Sequence, residues 1–138
     1  MVWPIEEIPD EDRVFLRVNK KNSYPCDYVV STSVFSQKGE DGLSTDWEKY
    51  ASPLECRNRA TSIPEDNGVI SLLAKDIRKI ERLDVKHAPI SGNRAHSLIL
   101  GIPIKGAEKT RLRNLLTLIA YIEIPVVAQS RMLACSRL

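Results

Sequence analysis

Residues 83–102 carry both histidines of the chain and constrain its fold more than any other stretch. They read LDVKHAPISGNRAHSLILGI, in which two runs rich in apolar residues flank the polar segment PISGNR. A Pro, Ser, Gly and Asn cluster between two such runs is typical of a turn. The pattern predicts an antiparallel hairpin whose strands are residues 83–88 and 95–102.

The apolar residues of the two runs predict the register of this hairpin. Placing Ala88 opposite Ala95 sets three pairs on one face: Leu83 with Leu100, Val85 with Leu98, and His87 with His96. Directly opposed Cβ atoms in such pairs lie about 5 Å apart. A slip of one residue would move both leucines of the second strand to the other face. The sequence therefore predicts two neighbouring imidazoles at the turn end of an apolar face.

Two neighbouring histidines suit proton transfer in the cleavage of a phosphodiester. Imidazole titrates near neutral pH, so one ring can accept a proton while the other donates one. An arginine beside them would stabilise the charge of the transition state. The predicted catalytic residues are His87, His96, Arg94 and Asn93, and the predicted substrate-binding residues are Arg82 and Lys86. The favoured substrate carries phosphate, as an RNA or a nucleotide does.

The two histidines have three other interpretations, which the sequence leaves open. A metal site lacks an evident third ligand, because Asp84 points away in the predicted register and the cysteines are distant in sequence. We accordingly expect neither a metal nor a cofactor. The pair could also form a pH-sensitive structural contact, or consist of hydrogen-bonded core residues with no chemical role.

The hairpin and the segments before it resemble a group of short bacterial conserved proteins. The segments that carry the resemblance are RVFLRV, STSVF, GLSTDWEKY, NGVISLLAKDIR and VKHAPISGNRAHSLILG. The last one holds an H-x-P-x-x-x-N-x-A-H-x-x-x-x-G motif, formed by His87, Pro89, Asn93, Ala95, His96 and Gly101. The resemblance spans residues 13–101. It implies that the hairpin is a genuine structural unit, and it implies no particular activity.

Charge is distributed unevenly along the chain. Residues 1–74 carry 8 Lys/Arg against 13 Asp/Glu, residues 75–113 carry 10 against 4, and residues 114–138 carry 2 against 1. A basic middle third can attract nucleic acid or an acidic protein. This supports a non-enzymatic alternative, a small interaction or immunity-type module from a bacterial operon. The partners considered are thus a nucleic acid, a nucleotide or a protein.

A further enzymatic alternative starts from Arg17 on a first strand and from the segment Ser31–Ser33 on a second. This arrangement is similar to one class of ADP-ribosyltransferases, in which arginine and serine shape the NAD pocket and a glutamate polarises the ribose hydroxyl. Glu123 is the candidate for that glutamate, although it lacks the usual paired E-x-E.

The remaining patterns predict an α+β fold with a small antiparallel or mixed sheet and two to four helices. Strands are expected at residues 13–18, 28–35 and 122–127, the last at an edge because of Pro125, and helices at 71–82 and 107–121. Two capping boxes, Thr45–Glu48 and Ser52–Glu55, predict helix starts, the second for a helix over residues 53–60. We expect Trp47, Tyr50 and Leu54 in the core.

Length and composition favour a single globular domain over residues 1–138. An acidic leader (residues 1–12) and a C-terminal tail (residues 128–138) are expected to be flexible. There is no run of 18 apolar residues and the N-terminus is acidic, so we expect a cytoplasmic protein that does not contact membranes. Cys26, Cys56 and Cys135 lack C-x-x-C spacing and are expected to be free thiols.

Overall fold

The computed structural model describes residues 3–19, 23–24, 29–30, 32–36, 41–61 and 63–126. The strands are β1 (Arg13–Asn19), β2 (Ser23–Tyr24), β3 (Val29–Val30), β4 (Leu43–Trp47), β5 (Asn67–Leu73), β6 (Asp84–His87), β7 (His96–Leu100) and β8 (Tyr121–Ile124). The α-helices are α1 (Pro53–Asn58), α2 (Ala74–Lys79) and α3 (Ala107–Ile119), and short 3₁₀ turns lie at Thr32–Phe35 and Pro64–Asp66.

Six of these strands form one sheet in the order β6-β7-β4-β1-β5-β8, and every pairing in it is antiparallel. Strands β2 and β3 pair separately. The predicted α+β class is confirmed, but the sheet is larger than the small one expected. Strand β8 lies at an edge, as predicted for the segment before Pro125.

The two faces of the sheet are covered differently. Alternation along β1 places Val14, Leu16 and Val18 on the face that packs against α2, α3 and the Thr32–Phe35 turn, here called the α3 side. Phe15 points to the opposite face, the α1 side, where it packs with Cys56 and Val69. The α3 side holds the main core, and the α1 side holds this small apolar cluster beside polar residues.

The capping box at Ser52–Glu55 is confirmed. Ser52 Oγ accepts a hydrogen bond from the Glu55 N–H at 3.1 Å, and Glu55 Oε1 accepts one from the Ser52 N–H at 3.0 Å. The helix that it begins ends at Asn58, two residues before the predicted boundary, and Leu54 on it is exposed where we expected a core residue.

The helix start predicted at Thr45–Glu48 is wrong, because those residues belong to β4. Leu43, Thr45 and Trp47 alternate toward the α3 side, and the strand pairs with both β1 and β7. A capping interaction contributes about 1 kcal/mol. Full burial of a large side chain such as Trp47, which is 1% exposed, contributes roughly 2–3 kcal/mol, so burial decides the conformation.

Two further element predictions need correction. The strand expected over residues 28–35 is reduced to Val29–Val30, followed by the 3₁₀ turn Thr32–Phe35. The helix expected over residues 71–82 spans only Ala74–Lys79, because residues 71–73 belong to β5, in which residues 67–72 are buried. The predictions for α3 and β1 are confirmed to within two residues at each end.

The acidic leader lies on the domain rather than extending from it. Ile8 is 1% exposed in the main core. The backbone carbonyls of Asp10 and Asp12 accept hydrogen bonds from the first amides of α2, and the Asp10 side chain pairs with Arg78 at 2.7 Å. Residues 3–12 are therefore part of the fold, whereas the tail at 128–138 lies outside the described residues.

Across the portion of the chain that the structure describes, no helix has the length and apolar character needed to span a membrane.

Candidate functional site

The hairpin exists, but its predicted register is wrong by one residue. Strand β6 pairs with β7 through Val85–Ile99, Lys86–Leu98 and His87–Ser97. Strand β7 also pairs with β4, where Leu43 lies opposite Ile99. The buried core on the α3 side takes Ile99, with Leu98 and Leu100 left half-buried on the α1 side, because β7 must match two neighbouring strands at once.

This register separates the two histidines. His87 lies opposite Ser97 and faces the α3 side, whereas His96 lies opposite Asp46 of β4 and faces the α1 side. Side chains that project from opposite faces of a sheet do not meet. The two rings are therefore not brought together as a pair.

His87 is a buried residue with both ring nitrogens satisfied by the backbone. Its Nδ1 accepts a hydrogen bond from the Glu6 N–H at 3.0 Å, and its Nε2 lies 2.7 Å from the Arg94 carbonyl, which can only accept. Nε2 must carry the proton, so these contacts select the neutral ring. Trp47 and Tyr50 pack against the ring at centroid distances of 5.0 and 6.0 Å. His87 therefore has no free nitrogen for proton transfer.

Arg94 belongs to the surroundings of His87. Its guanidinium lies 4.2 Å from the centroid of the Tyr50 ring and 3.8 Å from the Glu6 carboxylate. Lys86 is exposed on the α1 side, and Arg82 lies exposed at the other end of the hairpin beside Glu108. Of the six predicted site residues, Asn93 and His96 line one pocket together.

The acidic leader is held at this point by Glu6, whose carboxylate contacts Lys49 and Tyr50. These two hydrogen bonds, together with the charges of Lys49 and Arg94, lower the pKa of Glu6 despite its partial burial. A lowered pKa in the folded state stabilises the fold above the ordinary value of 4.5, and this stabilisation is lost as the pH falls through the lower folded value.

Glu6→Gln should therefore flatten the dependence of stability on pH in the acid range. We expect the difference in free energy of unfolding between near-neutral pH and about pH 4 to shrink in this variant. Urea unfolding at both pH values measures it. Glu7→Gln, which changes a neighbouring exposed carboxylate, serves as control, and equal flattening by both variants would contradict the assignment.

The pocket that contains His96, here called the His96 pocket, lies on the α1 side of the sheet. Its volume is about 310 Å³. The lining residues come from β1, β4, β7, the hairpin turn, and α1 with the residue that follows it. They are Phe15, Arg17, Ser44, Thr45, Asp46, Cys56, Arg59, Ile90, Asn93 and His96. Polar and charged side chains make up most of this list, in contrast to the apolar α3 side.

The hydrogen bonds of His96 leave one ring nitrogen as an acceptor. Nδ1 lies 2.7 Å from the Ala88 carbonyl and must donate to it. In the neutral ring, Nε2 is then unprotonated, and it lies 3.2 Å from Ser44 Oγ. His96 is only half-buried and borders the pocket, so this nitrogen can take up a proton from a group inside it.

Asp46 organises the polar wall of the pocket. It is 4% exposed, and its Oδ1 accepts a hydrogen bond from Asn93 Nδ2 at 2.8 Å. Its Oδ2 lies 3.4 Å from Arg59 Nε, while Arg59 Nη1 donates to the Gly92 carbonyl. Asn93 Oδ1 also accepts from the Ala95 N–H at 3.0 Å, which ties the hairpin turn to β4. One carboxylate therefore positions both Asn93 and Arg59.

Arg17, Ser44, Asp46 and Arg59 were not predicted as members of the phosphate site. The alternation of β1 does indicate that Arg17 lies on the face opposite Val14, Leu16 and Val18. In the structure, Arg17 Nη1 donates a hydrogen bond to the Cys56 carbonyl at 2.9 Å. The sequence does not predict a site role for Ser44 or Asp46, because its pattern indicates a helix start where β4 lies. Arg59 lies at the end of α1, and only tertiary contacts bring it to β4.

Cys56 borders the pocket but is not a reactive thiol. Burial, followed by the charge of Asp46, raises the pKa of Cys56 to about 12. Its thiolate fraction at neutral pH is then about a thousandfold below that of a thiol with the ordinary value of 9.0. Cys26 and Cys135 lie outside the described residues.

In a Cys26→Ser, Cys135→Ser variant, Cys56 should accordingly react with a thiol reagent at least a hundredfold more slowly in the native protein than in urea. Absorbance with an aromatic disulfide reagent follows the reaction. Similar rates in both conditions would show that the thiol is accessible and ionised.

Part of the basic segment 75–113 is paired with carboxylates within the fold. Arg78 pairs with Asp10 and Asp84, at 2.7 and 2.9 Å, and Arg111 pairs with Glu108. Although burial alone would raise the pKa of Asp84, hydrogen bonds from Arg78 and from the Val85 N–H lower it. Part of the positive charge counted in the sequence thus serves internal ion pairs.

The residues named for the ADP-ribosyltransferase alternative lie on different elements, and this alternative stays a prediction. Arg17 lies on the α1 side, whereas the Thr32–Phe35 turn packs on the α3 side, where the Thr32 carbonyl accepts from Arg113 Nε at 2.8 Å. Glu123 Oε1 accepts a hydrogen bond from Ser71 Oγ at 2.8 Å. The strand expected to carry Ser31–Ser33 is not present at residues 32–35.

The chain matches no protein-family model, no curated protein and no solved structure. Among the described residues, no three His, Cys, Asp or Glu side chains are grouped so as to hold a metal ion.

Proposed function

We propose that the protein binds a phosphate-containing ligand, a nucleotide or an RNA, in the His96 pocket, with His96 as its acid–base group. The observation that carries this proposal is that His96 shares one small pocket with Arg17 and Arg59. Guanidinium groups bind phosphate oxygens strongly, because their planar N–H donors match the geometry of a phosphate group. Asp46 offsets one of the two positive charges, which leaves a net positive pocket.

A wider groove next to the His96 pocket supports a ligand that carries a base as well as a phosphate. The two cavities share Arg17, Ser44, Ile90 and His96. The groove adds an apolar lining from Trp3, Ile5, Pro89 and Leu98. Aromatic side chains beside a cationic groove commonly stack on nucleobases. A nucleotide with its phosphate near Arg17 and its base near Trp3 satisfies both parts.

Replacement of Arg17 tests the proposal. Loss of a charge-assisted hydrogen bond to phosphate costs roughly 1.5–3 kcal/mol, so Arg17→Ala should weaken binding of adenosine monophosphate by about 10- to 100-fold. Isothermal titration calorimetry measures the affinity. Lys79→Ala removes the same charge from an exposed position on α2 and should leave binding unchanged. Equal affinities in the two variants would contradict the proposal.

The non-enzymatic module remains a second candidate, and the state of His87 favours it. This alternative requires buried, hydrogen-bonded histidines, and His87 has both ring nitrogens bonded to the backbone. A module of this kind would bind an RNA oligonucleotide or an acidic protein and leave it unchanged. Incubation with a labelled RNA separates the two: binding without turnover favours the module, and turnover that depends on His96 favours the enzyme.

A further inference from the structure

We propose that Ser44 is a nucleophile that His96 activates. The inference rests on the proposed phosphate site for its substrate class, and it adds the residue that would attack. Ser44 Oγ lies 3.2 Å from His96 Nε2, and His96 Nδ1 lies 2.7 Å from the Ala88 carbonyl. Ser44 Oγ, the His96 ring and the Ala88 carbonyl are thus linked by hydrogen bonds as nucleophile, base and the group that orients the base.

The tautomer of His96 follows from chemistry rather than from the position of any hydrogen atom. A carbonyl oxygen has no proton to give, so the Ala88 carbonyl requires a proton on Nδ1. The Ser44 hydroxyl then donates to the lone pair of Nε2. This is the state in which the ring can remove the Ser44 proton, and the carbonyl contact also stabilises the imidazolium that forms.

Ser44 is placed where a substrate can reach it. Its side chain is exposed at the α1 side of β4, and it lines both the His96 pocket and the wider groove. Arg17 lines the same two cavities and supplies positive charge for the oxygens of a phosphoryl group under attack. The other pocket thiol or hydroxyl candidates are unsuitable, since Cys56 and Thr45 are buried.

A single histidine is sufficient for this chemistry. Ser44 Oγ would attack the phosphorus of a phosphate ester while its proton passes to His96 Nε2, forming an Oγ–P bond. The bond from phosphorus to the leaving oxygen breaks, and that oxygen takes the proton from His96. Water then attacks the phosphorus of the phosphoserine while its proton passes to His96. The Oγ–P bond breaks, Ser44 Oγ takes the proton back from His96, and phosphate leaves. The separation of His87 from His96 is therefore no obstacle.

Diisopropyl fluorophosphate tests the inference directly on the full-length chain. Ser44 Oγ would form a bond to phosphorus, the P–F bond would break, fluoride would leave, and the Ser44 proton would pass to His96. We expect one stoichiometric adduct by intact mass, mapped to Ser44 by peptide sequencing. His96→Gln should slow its formation at least a hundredfold, and Ser44→Ala should abolish it.

Two controls separate reactivity from folding. Ser91→Ala removes an exposed serine of the hairpin turn that lines neither the His96 pocket nor the wider groove, and it should label at the wild-type rate. Circular dichroism melting of each variant shows that the fold is retained. The inference is overturned by no adduct, by an adduct at another residue, or by labelling of Ser44 that His96→Gln does not slow.

Adenosine monophosphate titrated into the same wild-type sample distinguishes the two proposals. Protein that binds the nucleotide but is not labelled overturns the role of Ser44 and leaves the phosphate site in place. Protein that is labelled at Ser44 but does not bind the nucleotide supports the activated serine and overturns the proposed ligand.

Discussion

Gly101→Ala should destabilise the fold by about 3 kcal/mol or more, the largest effect expected of a Gly→Ala substitution among the glycines that the structure describes. Gly101 has φ +106°, a conformation that residues with a Cβ rarely adopt. A Cβ built there would lie 1.9 Å from the carbonyl oxygen of Arg82 and 2.9 Å from its carbonyl carbon. Both are backbone atoms, so no side-chain rotation relieves the clash.

Gly92→Ala is the matched control for this prediction. Gly92 also has a positive φ, +81°, but a Cβ there would have no neighbour within 4 Å. The conformational cost alone is about 1 kcal/mol. Urea unfolding, followed by tryptophan fluorescence, measures both variants. Equal losses would show that the close approach of Arg82 to Gly101 contributes nothing.

The second large effect should distinguish the two histidines. His87→Ala removes a buried ring and leaves the Glu6 N–H and the Arg94 carbonyl without their partner. A cavity and two unsatisfied backbone groups together should cost about 3 kcal/mol or more of unfolding free energy. His96→Ala, at a half-buried position beside an open pocket, should cost less than about 1 kcal/mol.

The effects of the two substitutions on binding should be in the opposite order to their effects on stability. We expect His96→Ala to abolish adenosine monophosphate binding or turnover while the fold survives, and His87→Ala to retain both at temperatures where it remains folded. Urea unfolding and calorimetric titration of the same preparations give the two readouts. Loss of binding in both variants with intact folds would instead restore the hypothesis of two cooperating histidines.

The motif residues of the hairpin likewise divide into residues that stabilise the fold and residues that line the His96 pocket. Ala95 is fully buried, Gly101 meets the backbone of Arg82, and His87 is satisfied within the core. Asn93 links the turn to Asp46, and His96 alone turns a titratable group toward the pocket. Most of these motif positions thus contribute to packing or to backbone geometry, whereas Asn93 and His96 line the His96 pocket.

Interactions between residues close in sequence were predictable from the sequence. The capping box at Ser52–Glu55, the alternation along β1 and the amphipathic helix α3 depend on neighbours within four residues, and the structure confirms each of them. The general location of the hairpin was predictable for the same reason, since polar turn residues separate two apolar runs.

Tertiary structure alone decided the register of β7 and the composition of the site. Ile99 faces the core because it must pack between Val85 of β6 and Leu43 of β4, and no property of the hairpin by itself specifies β4 as the second neighbour. Burial of Trp47 outweighed a local capping signal and made residues 43–47 a strand. That strand places Ser44 and Asp46 beside His96. The pocket is therefore formed by residues that are about 50 positions apart in sequence.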